Sequence, residues 1–220
     1  APINPVVPSE ASDATRAGAT RPAPLPAGPN RVSVLEEHLR IGMDDPLRLP
    51  SSKEELAWFE RQGYPSSAAL EEAAVNVPQE WTLRFQAGTS ALELARAESF
   101  ALLNPARSAE AIVFLEEAAA SGSIYALEAL SRVHAHSSGG NPLIADAYQF
   151  AAELRGNWAL AGMRGQRSPS HAYLAAVYGH RIIEEINATR VQRGLPALGV
   201  DSRPGLSDFI QRVEEAAMNR

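Results

Sequence analysis

The stretch that decides the fold reads AIVFLEEAAASGSIYALEALSRVHAHSSGGNPLIADAYQFAAELRG and spans residues 111–156. It repeats itself at a spacing of 34 residues: Ala111, Phe114, Ala118 and Gly122 recur as Ala145, Tyr148, Ala152 and Gly156. Self-similarity at this period is typical of helix-turn-helix solenoids, in which each unit buries its apolar face only against its neighbours. Because such arrays usually serve as binding surfaces, the repeat predicts a class of activity and leaves the ligand open.

Apolar residues recur at helical spacing along most of the chain, and no alternating segment indicates a strand. Ser52 and Ser90 are each followed three positions later by a glutamate, the capping-box pattern of a helix start. Gly122 and Gly156 lie where helices should end and turn back. The sequence therefore predicts an all-α chain. Helices are expected over residues 32–41, 52–62, 66–75, 78–85, 90–103, 106–121, 123–136, 142–155, 169–193 and 207–219.

The tryptophans are expected to pack in the core. Trp81 is placed on a short helix that begins at Pro78, together with the apolar residues at positions 83 and 85. Trp58 and Trp158 lie in or beside other predicted helices. Any tryptophan that is exposed on a concave face would become a candidate hot spot for a peptide.

The chain divides by composition into a tail and a helical domain. Residues 1–30 contain seven prolines and no aromatic residue, which predicts an extended Pro/Ala-rich tail. Residues 31–220 are predicted to form the repeat domain, with the clearest repeats at 88–121 and 122–155 and capping helices at 168–219. A chain that begins Ala-Pro resembles a mature exported protein after removal of a signal peptide, so we expect a periplasmic or secreted protein. A trimmed, cytoplasmic protein is the alternative.

Composition excludes several classes of activity. The chain has no cysteine, which rules out disulfides and thiolate metal sites. Its formal net charge of −6 argues against nucleic-acid binding, which needs a dense basic footprint. No apolar run is long enough to predict insertion into a membrane. Lys53 is the only lysine among 20 basic residues, which, with the abundant alanine, suggests a GC-rich bacterial source.

The residues around the repeat resemble one family of helical repeats. Ala118-Ala-Ala-Ser-Gly122 is followed by Ala126, Leu130 and Ser131, then by Gly139-Gly140, and then by Ala145, Tyr148 and Ala152. This order resembles the Sel-like repeats, glycine-marked relatives of the tetratricopeptide repeats, best over residues 106–156. Ser131 stands where the family has glycine, and His134 where it usually has tyrosine. The resemblance implies a short solenoid of stacked antiparallel helix pairs, with adaptor or scaffold roles in bacterial envelope, secretion or signalling assemblies.

Motifs for catalysis are absent from the sequence. There is no Gly-x-Ser-x-Gly elbow, phosphate loop or His-Glu-x-x-His pair. His180 and Glu184 have the spacing of two residues on one helix face, but no third ligand has matching spacing. We therefore expect no catalytic residue, no cofactor and no metal, and interpret this pair as a surface pair.

Three hypotheses follow. The first is a non-enzymatic adaptor or scaffold that binds a protein or peptide. The first helices of the repeats line the concave side of such solenoids, which makes Tyr125, Glu128, Arg132 and Arg96 the candidate partner-binding residues. The second is an all-α envelope enzyme that acts on a polymer such as peptidoglycan. The third is a structural subunit of a larger complex that uses its tail as a strap.

Overall fold

The computed structural model describes residues 50–136, 140–158 and 167–205, and within these ranges helices are the only regular elements. The prediction of an all-α chain is confirmed. The helices are α1 (Lys53–Arg61), α2 (Ser67–Val75), α3 (Ala91–Leu103), α4 (Ala109–Ser121), α5 (Ile124–His136), α6 (Pro142–Arg155) and α7 (Pro169–Gln192), with a short 3-10 helix at Pro105–Arg107. In these ranges, no helix is long and apolar enough to cross a membrane.

Local capping interactions set the helix starts. Ser90 and Glu93 form a reciprocal capping box at the start of α3, as predicted. At α1 the prediction is half right: Ser52 accepts from the Glu55 amide, but the Glu55 carboxylate turns to Ser51 and Arg203 instead of closing the box. The Glu55 carboxylate therefore forms a tertiary contact in place of the local cap.

The predicted repeat positions have matching environments. Ala118 and Ala152 are both buried, so neighbouring helices approach closely at each. Gly122 and Gly156 end α4 and α6 with φ of 117° and 123°, left-handed values that favour glycine. Helices α3 to α6 follow one another through short connections and each packs on the next, which makes neighbours antiparallel. The resemblance to Sel-like repeats itself stays a prediction.

Helix α7 departs from this alternation. His171 in its first turn lies 2.7 Å from Asp146 in the first turn of α6. Arg190 near its other end donates to the carbonyl of Ala120, at the end of α4. Helix α7 therefore runs in the same direction as α6 and crosses it at Gly179, whose backbone approaches Ala147 and Phe150. The alternation of antiparallel helices stops at α6, where the 34-residue period also fails.

The helix expected over residues 78–85 is wrong. Residues 76–90 form an irregular connection between α2 and α3, and residues 81–86 contain no helix, turn or bend. The apolar residues Trp81, Leu83 and Phe85 alternate with polar ones, a period of two that suits an extended chain better than a helix. Trp81 and Phe85 both pack against Phe114 of α4, with ring centroids 5.1 and 5.8 Å apart. The connection is thereby pinned along α4.

The segment after α7 returns to the first helix and closes the domain. The amide of Asp201 donates to the carbonyl of Arg155 at 2.8 Å, and its own carbonyl accepts from the Trp58 indole at 2.9 Å. Arg203 forms an ion pair with Glu55 at 2.5 Å, in which both side chains are 2% exposed. Three elements distant in sequence are therefore joined at one buried junction.

Several predictions lie outside the described residues. They are the tail at 1–30, the helix at 32–41 and the final helix from Ser207.

Candidate functional site

Three of the four predicted partner-binding residues lie inside the helix assembly. Tyr125 and Glu128 on α5 are 0% and 3% exposed, and the side chain of Arg132 is 19% exposed. The expectation that this face of α5 is open is wrong, because α3 and the residues that follow α1 and α6 pack against it. Their assignment as partner contacts stays a prediction without an exposed surface to support it.

These side chains form a buried polar network. The Glu98 carboxylate accepts hydrogen bonds from the Tyr125 hydroxyl and the Arg132 guanidinium. Glu128 accepts from a tyrosine hydroxyl and, at 2.6 Å, from the Asn157 side-chain amide, and it lies 3.5 Å from Arg132. Burial lowers the pKa of the Arg132 guanidinium, but Glu98, together with Tyr125 and Glu128, outweighs burial and the net pKa is raised. The guanidinium thus stays charged between two carboxylates and holds α5 against α3.

Arg96, the fourth candidate, lies apart from this network. Its guanidinium pairs with Glu72 of α2 at 2.6 Å, and both side chains are partly exposed. This contact joins α2 to α3 on the surface and contributes little stability, as is usual for exposed pairs.

The remaining sequence candidates are distributed over the surface and the core. His180 and Glu184 are both exposed on α7. Trp58 and Trp81 are buried as expected, whereas Trp158 is 44% exposed. Among the described residues, no group of three or more histidine, aspartate or glutamate side chains could hold a metal ion.

Two hollows flank α4. The first, of about 320 Å³, lies between α4 and α7 and is named here the α7-side hollow. Its apolar wall includes Val113, Ile182 and Ile186, and Tyr148 of α6 closes its end. The ion pair of Glu117 with Arg193, at 2.8 Å, spans it from α4 to the end of α7.

Glu116 is the polar group of the α7-side hollow that lacks a cation. Its carboxylate accepts a hydrogen bond from the Tyr148 hydroxyl at 3.4 Å and forms no ion pair with any described residue. Desolvation in the hollow raises the pKa of the Glu116 carboxyl, and the neighbouring Glu117 raises it further, while the Tyr148 hydrogen bond partly opposes both. The hollow therefore combines an apolar wall with an uncompensated carboxylate.

The second hollow lies on the other side of α4. It measures about 790 Å³, is bounded by α4 and residues 81–85, and is named here the loop-side hollow. Leu83 is 44% exposed beside it, and Glu110 in the first turn of α4 lines its edge. Like Glu116, Glu110 forms no ion pair within the described ranges.

One exposed face of α4 connects the two hollows. Val113 and Glu117 line both, and Val113 is 55% exposed although it is a large apolar residue in the middle of a helix. An exposed valine with a hollow on each side can receive protruding side chains of a partner. We call this face, with its two hollows, the α4 surface.

Sequence reasoning missed the α4 surface for two reasons. The 34-residue repeat predicts which residues of α4 are buried, such as Ala111 and Phe114. It gives no signal for the exposed residue Val113 between them. The alternation of Trp81, Leu83 and Phe85 was available in the sequence as a signal of extended chain. The helix predicted over residues 78–85 is inconsistent with that alternation.

Comparisons of the chain with protein-family models, with curated proteins and with solved structures find no match.

Proposed function

We propose that this protein is a non-enzymatic adaptor or scaffold that binds a protein or peptide partner through the α4 surface. The observation that carries the proposal is the exposure of Val113 between two hollows. Full burial of a valine side chain contributes about 1.5–3 kcal/mol. Because Val113 is 55% exposed, a partner that covers the rest of it gains about half of that, which corresponds to roughly 4- to 15-fold in affinity.

The chemistry of the described residues favours binding over catalysis. Glu98 and Glu128 are buried carboxylates, 0% and 3% exposed, and both are engaged by the polar network. His180 and Glu184, the pair that an envelope enzyme would have used, lie exposed on a helix surface. The carboxylates of the α4 surface face apolar side chains, as in a recognition site.

A bacterial envelope or secretion-type assembly is the setting that we propose for this adaptor. The support is the resemblance of residues 106–156 to Sel-like repeats, which is an observation on the sequence.

Selection of peptides on the full chain tests the proposal. We would select phage-displayed random dodecapeptides on the wild-type protein and compare their binding to Val113→Lys and Val75→Lys. A lysine at position 113 is expected to keep the helix, because Glu110 and Glu117 lie three and four residues away. Val75 is 76% exposed on α2, outside both hollows, and is the matched control.

We expect selected peptides to lose at least tenfold in affinity on Val113→Lys and to keep their affinity within twofold on Val75→Lys. Failure to enrich any peptide, or equal binding to all three proteins, would contradict the proposal.

A further inference from the structure

We propose that the partner segment binds in the loop-side hollow as an extended chain, hydrogen-bonded to the backbone of residues 81–85, with a basic side chain opposite Glu110. The inference rests on the proposed function, since it names the conformation and the chemistry of the bound segment. Pairing of a peptide with an unpaired backbone edge is a recurrent mode of recognition: backbone hydrogen bonds provide affinity and side-chain pockets provide selectivity.

Residues 81–85 contain no helix, turn or bend, and their backbone is unpaired. In the part of the chain that the structure describes, no N–H or C=O group of these residues forms a hydrogen bond with another protein group. The first bond after them is that of the Gln86 amide to the Thr89 hydroxyl, at 3.2 Å. Five consecutive residues therefore offer donors and acceptors in the pattern of a sheet edge.

Side-chain packing fixes this edge in place. Trp81 and Phe85 are held against Phe114 of α4, so the extended segment is anchored at both of its ends. Hollows lie on both flanks: the loop-side hollow toward α4 and another, of about 500 Å³, toward residues 86–89 and Glu93. An incoming chain would meet a rigid edge with space beside it, which lowers the entropy cost of pairing.

The charges beside the hollow select the incoming side chain. Glu110 has no cation among the described residues, whereas Glu117 is already paired with Arg193. Val113 lies between the two on the same helix. In the bound segment, a basic residue that contacts Glu110 would therefore be followed by an apolar residue that contacts Val113. Arg84 is exposed on the extended segment itself and carries no described ion pair, so it opposes a second basic residue there. One basic side chain among apolar ones fits this arrangement.

Trp81 adds a second unsatisfied group at the same place. It is 4% exposed, it lines the loop-side hollow, and its indole N–H has no acceptor among the described residues. A buried donor without an acceptor costs about 1–3 kcal/mol, and a backbone carbonyl of a bound chain would supply the missing partner.

Amide exchange on the full chain tests the conformation of the bound segment. The probe is an acetylated and amidated heptapeptide with valine at positions one, three and seven, arginine at position five and serine between them. We expect the amides of residues 82–85 to exchange freely in the protein alone. Saturating peptide should slow alternate amides, either 82 and 84 or 83 and 85, at least tenfold, because neighbouring residues of a strand point to opposite edges.

Exchange that is already slow in the free protein would overturn the inference, because it would place a segment of this chain on the edge. No slowing by the bound heptapeptide would overturn it as well, and so would a failure of the heptapeptide to bind at millimolar concentration. In each of these cases the selected dodecapeptides could still bind in a way that depends on Val113. The proposed function is therefore tested separately from this inference.

A charge exchange between peptide and protein tests the role of Glu110. Wild-type protein is expected to bind the arginine heptapeptide at least fivefold more tightly than the same peptide with glutamate at position five. Glu110→Gln should reduce this preference to less than twofold, whereas the control Arg84→Gln should keep or increase it. A preference unchanged by Glu110→Gln would overturn the assignment of this carboxylate.

Discussion

Removal of the Arg203 side chain is expected to be among the most damaging single substitutions in this domain. Its guanidinium is paired with Glu55 at 2.5 Å, with both side chains 2% exposed, and it also lies 4.6 Å from the centre of the Phe59 ring. Arg203→Ala would leave the Glu55 carboxylate buried and short of its cation. Breaking a buried pair in this way costs about 3–5 kcal/mol, which for a domain of this size lowers Tm by roughly 6–20 °C.

The effect of Arg203→Ala depends on pH in a definite direction. Burial by itself raises the pKa of the Glu55 carboxyl, but hydrogen bonds from Ser51 and Arg203 outweigh burial and the net pKa is lowered. A lowered carboxyl pKa contributes stability above the unfolded value of about 4.3, and this contribution is lost as pH falls through the folded pKa. The loss of stability caused by the substitution should therefore be largest at neutral pH and shrink below pH of about 4.

Urea unfolding at pH 7.5 and pH 4.0 measures both effects. Arg61→Ala is the control, because Arg61 approaches Asp201 of the same junction at 3.6 Å but has a side chain that is 58% exposed. We expect the control to change stability by less than about 0.5 kcal/mol. The double variant Glu55→Gln with Arg203→Met should recover most of the loss, since no buried charge is left. Equal stability of Arg203→Ala and Arg61→Ala would refute this reasoning.

Three further predictions concern packing and titration. Ala152→Leu should overpack a helix crossing and destabilise the domain by about 1–3 kcal/mol, as measured in thermal melts. The control Ala57→Leu, at the exposed alanine of α1, should not destabilise it. Gly179→Ala would place a Cβ 2.9 Å from a backbone oxygen of α6 and should lower the free energy of unfolding by about 1 kcal/mol or more; Gly199→Ala, which meets open space, should not. Tyr148→Phe removes a hydrogen bond that holds down the pKa of Glu116, so carbon-13 carboxyl titration should show that pKa rise further.

The helices were predictable because their signals are local. Capping serines, prolines at first turns and the glycines that end α4 and α6 each act within a few residues of the chain. The 34-residue period added the register in which Ala118 and Ala152 are buried. These features need no knowledge of distant contacts, and they hold in the structure.

The candidate site was not predictable in the same way. Tyr125 and Glu128 were predicted to line the concave side, but both are buried because α5 is covered on that side. A polar residue of a repeat has the same sequence signal whether it faces water or a buried carboxylate. The direction of α7 likewise depends on contacts between residues distant in sequence, such as that of His171 with Asp146. Long-range contacts of this kind leave no periodic pattern.

The most direct test of the α4 surface is the dissociation constant of one selected dodecapeptide, measured by isothermal titration calorimetry on three full-length proteins. We expect Val113→Lys to bind at least tenfold more weakly than wild type and Val75→Lys to bind within twofold of it. Equal dissociation constants for wild type and Val113→Lys would show that the peptide binds elsewhere and would contradict the central claim.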